Sequence, residues 1–340
     1  MGTAAPCGTV LTARRPRSGK HTTPAPEKLR TSRTLARIRQ GLLAPKCYHP
    51  ANSKMTSPAH PAASPSPAAS PAGTPAPSPT PSPTPEAWKQ QELASPHTRT
   101  DKQEKVRRMF AAIAQSYDLN NRLHSFWQDQ AWRRFAVRQA ALVGGETVVD
   151  VACGTGDLSI AFARARKAPA RVIGIDYTRE MLDVAERRRQ AQLRAARGSD
   201  VERSICYIEG DAQHLPLADA TADVVSIAFG IRNVQEPKAA LREFYRILLP
   251  GGRLVILEFD TPRLPIVKQL STWYTNWLMP RTATLIAGDT SGAYKYLPAS
   301  VATFMNAEQL SAAMTEVGFT DCRRIPLTLG VCICHVGHKR

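Results

Sequence analysis

Two aspartates at the ends of apolar stretches, with a glycine turn between them, are the residues best placed to do chemistry. The first stretch, Val148 to Leu158, reads V-V-D-V-A-C-G-T-G-D-L. Its β-branched residues lead through Asp150 into a Gly154-Thr155-Gly156 turn, and residues 158–165 then read as a helix. A strand that passes through such a turn into a helix brings backbone N–H groups close to a ligand. Gly154 and Gly156 are both expected to let that ligand sit against the main chain, where a Cβ would block it. A second apolar stretch, Val172 to Ile175, ends on Asp176, whose carboxylate can accept hydrogen bonds from both hydroxyls of a ribose.

Two cofactor classes use this arrangement. Dinucleotide enzymes want G-x-G-x-x-G, but here Ser159 stands where the third glycine should be. Asp150 just before the turn would also repel a pyrophosphate. A carboxylate suits a cationic ligand better, and S-adenosylmethionine carries an ammonium, a sulfonium and a ribose but no phosphate. A turn that serves packing alone is the rival reading, and the paired strand-end acids weigh against it.

More polar residues stand where the same edge is expected. The loop D-A-Q-H-L-P-L offers the Asp211 carboxylate to an adenine amino group and the Ala212 N–H to a ring nitrogen. His214 in that loop reads as surface. The apolar strand 223–229 runs into Gly230-Ile231-Arg232-Asn233, so Arg232 and Asn233 project from a strand end. A surface salt bridge is the rival role for Arg232. Tyr117 and Asp118 lie in a polar break, S-Y-D-L-N-N-R-L, which suits a turn between two helices.

The elements that must hold these residues follow from periodicity. Helices are expected over 102–114 and after Leu123, the second with Phe126, Trp127, Trp132, Phe135 and Val137 on its apolar side. Together they would cap the sheet. From Glu146 onward strands (146–152, 171–175, 204–208, 223–229, 253–259) alternate with helices (157–167, 178–197, 236–248), the pattern of a parallel α/β sheet. Residues 264–279 read as an amphipathic helix with an aromatic face, followed by a polar loop over 287–297. That helix fits core packing, a lid over a greasy substrate, or contact with lipid. Helix 306–317 and strands 320–327 and 330–337 close the chain as an antiparallel hairpin.

Composition bounds the rest. The 340 residues carry a formal charge of +17, but residues 1–55 hold eleven Lys/Arg and only Glu27 as an acid. The remainder, with 34 basic and 27 acidic residues, is only mildly basic, and no nucleic-acid partner is expected. Residues 1–57 read as a basic disordered tail, a transit segment, or a start placed upstream of a true one such as Met55. Residues 58–100 read as a linker, with eleven prolines between 58 and 85, and the folded domain is expected over 101–340. A transit segment would mean plastid or mitochondrion; a late start would mean bacterial cytoplasm, at the inner membrane. The seven cysteines lack C-x-x-C spacing and no His groups with them, so neither a metal site nor a disulfide framework is expected. No apolar run reaches the ~18 residues of a membrane span.

Tyr117-Asp118, D-V-A-C-G-T-G-D-L, D-A-Q-H-L-P-L, F-G-I-R-N-V, P-G-G-R-L-V-I-L-E-F and G-V-C-I-C-H-V-G-H-K together resemble the UbiE-type ubiquinone/menaquinone C-methyltransferases, over about residues 102–339. The resemblance implies a class I methyltransferase, with a Rossmann-like sheet of seven strands, a C-terminal antiparallel hairpin and an N-terminal helical cap. It implies methyl transfer from S-adenosylmethionine to a ring carbon of a prenylated quinol: demethylmenaquinol, or alternatively a methoxy-benzoquinol of ubiquinone synthesis. A non-catalytic member that binds donor or quinol is a further alternative. By motif, Thr155, Asp176, Asp211 and Ala212 are implied cofactor contacts, beside Asp150, Gly154 and Gly156. Ala228 stands where the family often has Ser, so one cofactor hydrogen bond is either absent or supplied by Ser226 or water. Arg232 is expected to stabilise a phenolate, Asn233 to orient the quinol oxygen, and Tyr117 to close the site or relay a proton. No His or Glu in the motifs is an obvious base. The prenyl tail implies a peripheral membrane surface as partner, touched by helix 264–279, and a homodimer is a candidate assembly.

Overall fold

The computed structural model describes residues 88–195, 204–278 and 292–340. The basic tail, most of the proline-rich linker, Met279 at the end of the aromatic helix and residues 287–291 lie outside them.

Seven strands form one sheet in the order β3-β2-β1-β4-β5-β7-β6. They are β1 (Thr147–Val151), β2 (Arg171–Asp176), β3 (Ile205–Glu209), β4 (Ala222–Ala228), β5 (Leu248–Phe259), β6 (Thr320–Leu327) and β7 (Cys332–His338). β1 to β5 pair in parallel. β7 lies antiparallel between β5 and β6, which gives the expected closing hairpin. β1 and β2 are buried almost throughout, as parallel strands covered on both faces must be. Strand order reverses between β1 and β4, so the carboxyl edge there is the natural ligand crevice.

Ten helices, with short turns of tighter or wider helix beside some of them, are described. α1 (Gln90–Leu93), α2 (Lys102–Ile113), α3 (Tyr117–His124) and α4 (Gln128–Gln139) precede the sheet. α5 (Asp157–Ala163), α6 (Arg179–Ala195) and α7 (Pro237–Ile247) connect its parallel strands. α8 (Pro265–Trp273, extended by a wide turn Tyr274–Leu278), α9 (Ala293–Thr303) and α10 (Ala307–Val317) follow β5. α7 shows why these segments are helical. Pro237 opens it, and Ala240, Leu241, Phe244 and Ile247 fall on one buried face. α10 starts with a capping box, in which Asn306 Oδ1 and Gln309 Oε1 each accept the other's backbone N–H at 2.9 Å.

Three expectations need correction. The packed chain begins upstream of Asp101. Trp88 is buried and stacks on Tyr296 with centroids 4.7 Å apart, and Glu92 pairs with Lys105 at 2.6 Å. The proline run hides this segment in the sequence, because the single aromatic that anchors it lies just beyond. The polar break is not a turn: α3 runs through it. Asp118 lies in that helix's first turn, where its charge suits the dipole, and tertiary partners hold it. Phe126 and Trp127 are not on a buried face. Both have left-handed backbone (φ 51° and 60°) in the link between α3 and α4, and they are 69% and 57% exposed. Trp132 is buried, as expected.

Candidate active site

At the carboxyl edge of β1, β2 and β4 the glycine turn opens into a cleft. Gly154, with φ 56°, has nothing within 4 Å of where a Cβ would stand, and it borders that cleft. Gly156 does not. Its Cβ would stand 2.2 Å from the Tyr207 hydroxyl oxygen of β3, so this glycine serves the packing of turn against sheet. One glycine therefore makes room for a ligand and the other for a core tyrosine.

Asp176 borders the cleft at the end of β2. It accepts the Gly154 and Thr178 N–H groups at 2.8 Å each, which fixes its orientation to the turn. Burial pushes its pKa up, and these backbone donors oppose the shift. Asp211 and Ala212 line the cleft after β3, and Ala228 lines it at the end of β4. Asp211 accepts from Gln103 Nε2 at 2.8 Å and from the Gln213 N–H at 2.9 Å, so the cap reaches across to the loop after β3. Gln103 was not legible as a site residue from its position in a helical stretch.

Two expected contacts turn away from the cleft. Asp150 is buried beneath the turn and accepts the hydroxyls of Ser159 (2.6 Å) and Ser226 (3.0 Å). Burial raises its pKa to about 6 against those two donors. Ser226 is thereby committed, and it does not replace the hydroxyl that Ala228 lacks. Thr155 is also buried, its hydroxyl given to Asp118 at 2.5 Å. Both residues build the turn from below, and their side chains do not line the cleft.

The cleft fits the cofactor class. Its carboxylates are Asp176 and Asp211, its one basic lining residue is Arg107, and Gly154 leaves main chain open to it. Among the described residues no group of three or more His, Cys, Asp and Glu could hold a metal ion.

A second cavity of about 300 Å³ abuts this cleft. Phe110, Tyr117 and Phe229 line both. Its walls include Met109, Ile113, Trp132, Phe259 and Leu297, with α8 on one side. Tyr117 is partly exposed, but its hydroxyl end is enclosed and burial raises its pKa. Asn233 lies on the cleft side, where its Oδ1 accepts the Tyr296 hydroxyl at 3.1 Å. Arg232 lines the second cavity but is largely committed inside the protein. Nη1 donates to Glu258 Oε1 (2.8 Å) and the Phe229 carbonyl (2.6 Å), and Nε approaches Ser300 Oγ at 3.3 Å. The structure thus places Tyr117 at the junction, Asn233 with the cleft and Arg232 with the cavity.

Two polar residues of the cavity were missed in the sequence. Asp129 and Arg133 of α4 are 4% and 8% exposed, and both line it. An Asp and an Arg four apart among aromatics was the available signal.

The chain matches the ubiE/COQ5 methyltransferase family over residues 98–339. It is 40% identical over 240 residues to the ubiquinone/menaquinone biosynthesis C-methyltransferase UbiE of Geotalea uraniireducens, covering 71% of this chain and 98% of that one. It is 42% identical over 231 residues to the demethylmenaquinone methyltransferase of Thermus thermophilus, covering 68% of this chain and all of the other. A demethylmenaquinone methyltransferase of Deinococcus radiodurans is 40% identical over 240 residues, 71% of this chain and 95% of its own.

Proposed function

The chain belongs to the ubiE/COQ5 methyltransferase family, and from that premise we propose that it methylates a ring carbon of a prenylated quinol with S-adenosylmethionine as donor, demethylmenaquinol being the acceptor. One observation carries the reading. A cleft that carries the Asp176 and Asp211 carboxylates and a larger cavity with aromatic and aliphatic walls abut at Phe110, Tyr117 and Phe229. A donor and an aromatic acceptor held on either side of that junction would be positioned for transfer without a shared bulk-water space.

Asp176 and the main chain at Gly154 would hold the ribose side of the donor, and Asp211 with the Ala212 N–H the adenine. When bound, S-adenosylmethionine supplies an electrophilic methyl on a sulfonium. The chain's own residues do the rest. Tyr117 closes the junction. Phe229 and Phe259 stack at 4.6 Å, and the cavity walls shield a ring from water. A quinol carbon becomes nucleophilic when the adjacent hydroxyl loses its proton, so the site must take that proton and hold the resulting oxyanion.

The prenyl tail needs an apolar route, and we place this at a lipid surface. α8 lines the cavity with Lys268, Ser271 and Thr272, while Ile266, Leu270, Trp273 and Trp277 are 73%, 62%, 54% and 48% exposed. An exposed stripe of this kind at a cavity wall suits contact with headgroups and acyl chains.

The test is transfer of labelled methyl from S-adenosylmethionine to reduced demethylmenaquinol and to a methoxy-benzoquinol in detergent. Label in the naphthoquinol supports the reading, and label only in the benzoquinol moves the acceptor to the ubiquinone series. Donor binding with no label in either would contradict quinol methylation.

A further inference from the structure

The acceptor cavity holds two carboxylates, and they differ in what they can do. Asp260 is turned onto backbone N–H groups, Thr261 at 2.8 Å and Ala307 at 3.2 Å, and so caps the start of α10. Asp129 faces the cavity from α4. Its Oδ1 accepts the Ser125 hydroxyl and its Oδ2 the Gln130 amide, both at 2.9 Å. A carboxylate can take about four donors, so each oxygen retains capacity for another.

One turn further along α4, Arg133 lies against the same space. Its Nε has no hydrogen-bond partner although it is buried. Its carboxylate neighbours stand off, Asp129 Oδ2 at 3.8 Å and Asp157 Oδ2 at 4.0 Å. Asp157 is already served by Arg188 at 2.5 Å and by Gln130 at 3.0 Å. The Arg133 guanidinium sits 5.3 Å from the centre of the Phe229 ring, the residue where cavity and donor cleft meet. A buried guanidinium with an unused donor, held over that ring, is placed for an anion that forms there. Arg232 contrasts with it, since Glu258, the Phe229 carbonyl and Ser300 already take its Nε and Nη1.

We propose that Asp129 and Arg133 form the acid–base pair of the acceptor cavity, Asp129 accepting the proton of the quinol hydroxyl and Arg133 holding the oxygen that loses it. This rests on the quinol reading above. In the step, the ring O–H bond breaks, a carboxyl O–H bond forms on Asp129, and the electron pair stays on the ring oxygen. No oxidant or reductant is needed. After methylation the ring carbon gives up its own proton to solvent and the oxygen recovers the one held by Asp129. The pair is left as it began, with one proton released per turnover.

The experiment uses the full chain and a prenylated 4-methoxy-1-naphthol, an acceptor analogue with one ionisable hydroxyl that forms no quinone unless its ether is lost. Its ionisation when bound is followed by naphtholate absorbance in wild type, Asp129→Asn and Arg133→Gln. The proposal expects opposite shifts of about one unit each. Removing the Asp129 charge lowers the bound naphthol's apparent pKa, and removing Arg133 raises it. Turnover of demethylmenaquinol falls about 100-fold or more in Asp129→Asn, while Asp129→Glu and Arg133→Lys recover part of it. A purely structural pair would lower activity without moving the ligand's ionisation in opposite senses. Near-UV circular dichroism checks the fold, and if a charge-removing variant does not fold, Asp129→Glu and Arg133→Lys decide. Recovery with a wild-type-like naphthol titration then supports the pair. A wild type that binds the naphthol and methylates quinol, with variants that leave the naphthol's pKa and the turnover unchanged, would overturn this pair alone. A wild type that neither binds the naphthol nor methylates a quinol would overturn the acceptor class as well.

Discussion

Asp118 accepts the Thr155 hydroxyl at 2.5 Å and so ties the helix that carries Tyr117 to the glycine turn. Arg188 of α6 completes the tie, donating from Nη1 to Asp118 Oδ2 at 2.8 Å and to the Thr155 carbonyl at 2.9 Å. Three elements that border the cleft are thereby held in one arrangement: cap helix, turn and α6. The cap is thus positioned by the segment it covers.

Breaking that tie should disturb function beyond its effect on stability. Asp118→Ala leaves the Arg188 charge and the Thr155 hydroxyl short of a partner, an expected cost of about 1–3 kcal/mol. Tyr117 would also be less well placed over the junction. Thermal unfolding should show the first effect, and a lower kcat at saturating S-adenosylmethionine the second. Unaltered kcat in the folded variant would show that the tie does not position Tyr117.

Asp150 gives a pH dependence with a defined sign. Its folded pKa is raised to about 6 from an ordinary 3.8, so between those values the native state binds more protons than the unfolded one. Its contribution to stability is therefore favourable at low pH and declines as pH rises through about 4 to 6. Above that window the buried charge costs at most about 3 kcal/mol. Asp150→Asn should remove the decline, since Ser159 and Ser226 can rotate their hydroxyls to meet an amide. The check is the wild-type-minus-variant difference in unfolding free energy against pH. A difference that is flat across this window would contradict a raised pKa.

The glycine turn shows how far sequence reading goes. Asp176 and Gly154 were legible as cleft residues because a strand end and a glycine turn leave few other positions for them. Gly156, Asp150 and Thr155 belong to the same motif but point the other way. What decides their roles is distant in sequence: Tyr207 on β3, Ser226 on β4 and Asp118 in the cap. Strand and helix order was legible throughout the sheet, since continuous apolar runs and helical spacing alternate. α3 was not, because Asp and Asn favour turns locally, and the partners that hold Asp118 in the helix, Thr155 and Arg188, are distant in sequence. The second cavity was least legible. It is assembled from α2, α3, α4, α8 and α9, and no single motif contains it.

Trp88 makes the N-terminal boundary testable. Trp88→Ala should lower stability by about 3–5 kcal/mol, as large-to-small changes at buried aromatics do. A chain that starts at Asp101 should lose at least as much, since it also lacks the Glu92–Lys105 pair. Denaturant unfolding measures both. Equal stability of the Asp101-start chain and the full chain would restore the later boundary.

The exposed aromatics of α8 should govern partitioning to lipid. Trp273 and Trp277 stack at 5.5 Å on the outer side of the cavity wall. Changing both to Ala should reduce flotation with liposomes severalfold, while binding of S-adenosylmethionine in solution stays as in wild type. Unchanged flotation of the folded variant would remove α8 from the lipid contact.

The most direct test of the two-cavity account is a crystal structure of the chain with S-adenosylhomocysteine and the prenylated 4-methoxy-1-naphthol bound together. The account expects the nucleoside on Asp176 and Asp211, the naphthol ring against Phe229 and Trp132, and the sulfur and the ring carbon facing each other beside Tyr117. A nucleoside in the larger cavity, or a naphthol bound away from Phe229, would contradict it.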